Sequence, residues 1–135
     1  MVHSIPTRGE MERNLSQSVQ AFYRNQLGCQ TKKVSCHILE DRITIAIMNP
    51  ITAIEKLLID ANESQFVRDL RDRIDAIVKH NLIPILEAVV NVKVIAMTID
   101  TTVSHNFTGI VALLSQKPNI RESKRALNKP KVDQG

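Results

Sequence analysis

The chain has 135 residues, 43% of them hydrophobic and 24% charged, which is enough for one domain with its own core and leaves no need for staples. The formal charge of +4 is carried by residues 117–135, where six bases meet two acids, so the body is neutral and a uniformly basic phosphate-binding domain is excluded. No apolar h-region opens the sequence, no apolar run reaches bilayer length, and Cys29 and Cys36 make no disulfide framework. A secretory signal and a membrane span are therefore not expected, and a reducing cytoplasm is the expected compartment.

Residues 1–9 read as a loose lead-in. Residues 10–27 read as an amphipathic helix with Met11, Leu15, Val19 and Phe22 on one stripe and Gly28 as its left-handed terminator. Val34, Cys36 and Ile38, then Ile43, Ile45 and Ile47, alternate with other residues on either side of Glu40-Asp41, the pattern of a hairpin. Pro50 closes the second strand. Thr52 and Glu55 then form a capping-box pattern that starts a short helix.

A long helix is expected from about Asn62-Glu63-Ser64-Gln65. Its core stripe is read as Phe66, Leu70, Ile74, Ile77, Val78, Leu82, Ile85 and Val89. Arg68, Arg71 and Arg73, interleaved with Asp69, Asp72 and Asp75, read as a solvated face with acid-first pairs Asp69–Arg73 and Asp75–Lys79. Pro84 is expected to kink or interrupt this helix. Strands near 92–99 and 107–114 follow, joined by a polar link from Asp100 to Asn106. The last strand is apolar on both faces, so helices are expected on one side and a second subunit on the other. The order α-β-β-α-α-β-β predicts a single two-layer α+β domain over residues 10–116, a mainly antiparallel four-stranded sheet with helices on one face. Residues 117–135 are expected to form a disordered basic tail.

No residue set reads as catalytic. Cys29, Cys36 and His37 match no metal-ligand spacing, and Cys36 shares a face with Val34 and Ile38 as a small hydrophobe would. The four histidines are scattered, and the four glycines form no phosphate-binding loop. Three Phe and one Tyr make a poor stacking platform for bases or sugars. Two candidate sites remain. One is the polar loop Asp100, Thr101, Thr102, Ser104, His105 and Asn106, which offers a carboxylate, hydroxyls, an imidazole and an amide, all of which are also ordinary turn formers. The other is a partner-binding tail formed by Lys117, Arg121, Lys124, Arg125, Lys129 and Lys131.

Three segments carry a family resemblance. They are the helix start Ile51-Thr52-Ala53-Ile54-Glu55, the charged helix Phe66-Val67-Arg68-Asp69-Leu70-Arg71-Asp72-Arg73, and the hairpin entry Met97-Thr98-Ile99-Asp100 with the apolar strand Ile110 to Leu114. Over roughly residues 14–115 the chain resembles the MpsC-like bacterial domain family, departing from its pattern at Cys29, Ala53 and Thr98. The resemblance implies an accessory part in a membrane-potential-generating, cation-translocating system.

The residues themselves point to a cytoplasmic, non-enzymatic interaction or regulatory protein without cofactors. It is expected to form a homo-oligomer, a dimer, and to meet a protein partner, at a membrane surface if the tail does the docking. A nucleic-acid-associated protein using the tail, and a small-molecule sensor with its pocket near residues 100–106, are the competing readings.

Overall fold

The first helix, α1 (Arg8–Leu27), begins where Thr7 can cap it. The Thr7 hydroxyl accepts the Glu10 N–H at 3.2 Å, and the Glu10 carboxylate accepts the Thr7 N–H at 2.8 Å, so both partners satisfy otherwise orphaned donors. It ends at Gly28, whose φ of 62° closes the helix without a Cβ penalty. The computed structural model describes residues 5–121 of the chain.

Two strands, β1 (Lys33–Leu39) and β2 (Arg42–Met48), pair across the two-residue turn Glu40-Asp41. Helix α2 (Ala53–Asp60) follows, then α3 (Ser64–Val90), β3 (Val94–Thr102), a 3-10 turn at Val103–His105, and β4 (Phe107–Leu114). The sheet is antiparallel throughout, in the order β1-β2-β4-β3. The expected α+β order and four-stranded antiparallel sheet are thus present.

Alternation along the strands decides the two faces. Ile43, Ile45 and Ile47 of β2, with Ile110, Ala112 and Leu114 of β4, are buried under the helices. Helix α1 lies on β1, α3 lies on β3, and the two helices touch each other. Met11, Leu15, Val19 and Phe22 are buried as their spacing predicts. Among the described residues, no helix lies over the other face of the sheet.

Each edge strand is tied to a helix at one backbone N–H. The Ile38 N–H on β1 donates to Glu12 Oε2 of α1 at 2.8 Å. On β3, a register shift between Val94 and Ala96 breaks the ladder, and the Val94 N–H donates to Glu87 Oε2 at 2.9 Å.

Helix α3 corrects the sequence reading by about one residue of helical phase. Its buried side chains are Val67, Arg71, Asp75, Val78, Leu82, Leu86 and Val90. Phe66 and Ile77, read as core, are 54% and 62% exposed. Arg71 and Asp75, read as part of a solvated face, are buried and pair with each other. Neither Asp69–Arg73 nor Asp75–Lys79 occurs among the ion pairs of the described residues. The reading counted apolar residues and gave charged ones to solvent, whereas here the buried stripe contains a charge pair. Pro84 does not interrupt the helix: it lies on the exposed side, and the helix is continuous to Val90.

Order extends past residue 116. Pro118 is buried and Ile120 packs against the core. The Arg121 N–H donates to the Pro6 carbonyl at 2.8 Å, forming a short parallel bridge with Thr7. Residues 1–4 of the expected lead-in and 122–135 of the expected tail lie outside the described residues.

Candidate functional site

The segment from Asp100 to Asn106 is only partly a loop. Asp100, Thr101 and Thr102 belong to β3, and strand alternation separates them. Thr101 points inward. Its hydroxyl donates to Asp75 Oδ2 at 2.7 Å and lies 2.6 Å from the Thr108 hydroxyl, which donates to it in turn. Asp100 and Thr102 point to the open face and are exposed. Asn106 takes φ 49° and ties the turn to the β2–α2 connection. Its side-chain oxygen accepts the Ile51 N–H at 3.0 Å, and its backbone carbonyl accepts the Asn49 N–H at 2.9 Å. Ser104 and His105 remain exposed at the tip, with Ser104 Oγ 3.2 Å from His105 Nδ1. The six residues therefore divide among three jobs and do not converge on one point.

Beneath them sits a buried charge cluster that joins four elements. Arg71 of α3 and Glu55 of α2 are each 1% exposed. The Arg71 Nη2 donates to the Pro50 carbonyl at 2.6 Å. Its Nε lies 3.2 Å from Glu55 Oε2, and its Nη1 lies 3.8 Å from Asp75 Oδ1, as charge contacts without hydrogen-bond geometry. Glu55 Oε1 is occupied by the α2 cap, accepting the Thr52 N–H at 3.0 Å and the Thr52 hydroxyl at 2.8 Å. One guanidinium thus faces two carboxylates, and Asp75 reaches β3 through Thr101.

Burial is the largest influence on Asp75, raising its pKa above the ordinary 3.8. The Thr101 hydrogen bond and Arg71 pull it down, and Asp100 and Glu55 push it up again. Nearby, burial and the Asp75 charge hold the Tyr23 hydroxyl well above the usual phenol range, and among the described residues this hydroxyl has no hydrogen-bond partner. Because the native state holds the Asp75 proton to higher pH than the unfolded chain does, this group's stabilising contribution is full below about pH 3.8 and is lost as pH rises through the native value. Asp75→Asn keeps an acceptor for Thr101 and removes this titration. In urea unfolding between pH 3.5 and 7, wild type is expected to lose stability relative to Asp75→Asn as pH rises. A difference that does not change with pH would show that Asp75 does not titrate in this range.

Sequence reading missed this cluster, although a signal was present. Val67, Arg71, Asp75, Val78 and Leu82 recur at helical spacing, and Glu55 was recognised only as a cap. The cysteines offer no reactive thiolate. Cys29 Sγ donates to the Asn49 carbonyl at 3.3 Å, and burial raises its pKa. Burial pushes Cys36 up to about 11. Among the described residues, no cluster of three or more His, Cys, Asp or Glu could hold a metal.

Above the cluster, a cleft of about 580 Å³ opens between the start of α3 and the end of β3. Ile59, Ser64, Arg68, Asp72, Thr101 and Ser104 are among its walls. Of the tail bases, Lys117 pairs with Glu40 at 2.9 Å and Arg121 meets Glu10 at 3.9 Å, both at the exposed surface where such pairs contribute little. Lys124, Arg125, Lys129 and Lys131 lie outside the described residues.

Residues 7–116 match the family model described as "MpsC: Na+-translocating membrane potential-generating system". The chain belongs to the MpsC family. No curated protein and no solved structure matches it. The MpsC match begins at Thr7, the cap of α1, and ends just after β4, so it takes in every helix and strand described above. The buried cluster and the 100–106 segment both lie inside the MpsC domain.

Proposed function

We propose that this chain is a non-enzymatic interaction or regulatory protein. In this reading it is a cytoplasmic accessory part of a Na+-translocating, membrane-potential-generating system and docks on a protein component of that system. The supporting observation is the open face of the sheet. On this face the pairing register sets Phe107 of β4 opposite Met48 of β2, Val111 opposite Thr44 and Leu113 opposite Arg42, with Leu39 of β1 opposite Arg42 at the corner. Val111 is 47% exposed and Leu39 65%. Lys33, His37, Arg42, Thr98, Asp100 and Thr102 surround them. Exposed apolar side chains set among polar ones on an uncovered sheet face are a candidate protein interface.

Among the described residues, no helix is long and apolar enough to cross a membrane, and this reading assigns the ion path to the partner. The test is affinity purification of tagged full-length chain from detergent-solubilised membranes, wild type beside Val111→Lys, with mass-spectrometric identification. Subunits of an ion-translocating complex should be recovered with wild type and depleted at least about tenfold with the variant, since a buried unpaired charge is costly. Equal recovery with both baits, or absence of such subunits, would overturn the proposal.

The cleft beside residues 100–106 favours a second reading, a small-molecule sensor. A metabolite that raises the melting temperature of wild type but not of Arg68→Ala would support it.

A further inference from the structure

We propose that two copies of this chain pair through the outer stripe of α3, antiparallel and about a two-fold axis. The proposal does not depend on the accessory role, because it uses a different surface. Phe66, Leu70, Arg73 and Ile77 recur at alternate spacings of four and three, the spacing of a helix-pairing seam. This seam faces away from the buried stripe of Val67, Arg71, Val78 and Leu82. Phe66 and Ile77 at its ends are mostly exposed, about 16 Å apart along the helix.

The stripe is complementary to itself. With the two-fold axis passing between residues 71 and 72, Phe66 of one copy meets Ile77 of the other, twice. Arg73 then lays its methylene stem over Leu70 of the second copy and carries its guanidinium to the second copy's Asp69. Antiparallel helices bring like flanks together, so both Asp69–Arg73 pairs form at once. A parallel arrangement would set Arg73 against Arg73 within the seam, which disfavours it. The two charges are free for this role: no ion pair joins Asp69 or Arg73 to another described residue, and Asp69 accepts only the Gln65 amide, at 3.1 Å. Four seam residues per copy make a contact smaller than a permanent dimer interface, so the pair is concentration-dependent.

Sedimentation velocity of the full-length chain, from micromolar to sub-millimolar concentration, tests this. The mass should rise from 15.2 kDa toward twice that value. Ile77→Glu, Arg73→Asp and Asp69→Arg should each weaken association at least about tenfold. All three positions are exposed, and circular dichroism would confirm the retained fold. The double variant Asp69→Arg/Arg73→Asp restores opposite charges across the axis and should recover association to within about threefold of wild type. A wild type that stays monomeric throughout overturns the proposal, as does a double variant no better than the singles. Dimerisation lost in Val111→Lys but kept in Ile77→Glu also overturns it and assigns self-association to the sheet face.

Discussion

Arg71→Ala is expected to lower unfolding free energy by about 3–5 kcal/mol, because it leaves Glu55 and Asp75 buried without their cation and the Pro50 carbonyl without its donor. The urea midpoint measures this directly. A cost under about 1 kcal/mol would mean that water reaches the cluster and screens it. The loss should appear first in α2. Of its eight residues only Glu55 is buried, while Ile54 and Leu57 are each 67% exposed. This helix is held by its cap and by the Arg71 pair, not by an apolar face. Amide exchange in the variant should therefore speed up across Ala53–Asp60 before it does in α1. Converting the whole cluster to apolar residues is a different experiment, since replacing every charge together can be neutral or stabilising.

Leu82→Ala is expected to cost about 2–5 kcal/mol, as deletion of a fully buried leucine does when the site cannot collapse. Phe66→Ala and Ile77→Ala should stay within about 0.5 kcal/mol when measured on dilute monomer, although both remove larger or equally apolar side chains. The contrast reports the rotation of α3. Had Phe66 and Ile77 been core residues, their truncation would rival Leu82→Ala, so comparable costs at all three positions would contradict the observed phase.

The same phase sets both the buried cluster and the outer stripe. Turning α3 so that Arg71 and Asp75 face inward joins the β2–α2 connection, α2, α3 and β3 through one guanidinium and two carboxylates. It also puts Phe66, Leu70, Arg73 and Ile77 on the outside as a seam. The inward rotation of Arg71 and Asp75 and the outward placement of Phe66 and Ile77 are one structural fact.

The sequence by itself determined the elements and their order. The Thr7 side chain went unread as a cap, but the Thr52–Glu55 capping box, Gly28 as terminator, and the alternation of Ile43, Ile45 and Ile47 all describe local geometry. Local geometry follows from side chains a few residues apart. The family membership was legible for the same reason, since the helix start, the charged helix and the last hairpin are contiguous segments. The tertiary structure decided which side of α3 faces the sheet, because a charged residue can be buried when a distant residue neutralises it. Arg71 donates to the Pro50 carbonyl of the β2–α2 connection and faces the Glu55 charge on α2, and no window of local sequence contains both sides of that exchange. It also decided the fate of residues 100–106. A run of hydroxyls, amide and carboxylate reads as one polar loop, but strand alternation sends Thr101 to Asp75 and Asp100 to the open face. Asn106 is drawn instead to the backbone of Ile51, a contact between residues 55 positions apart in the chain.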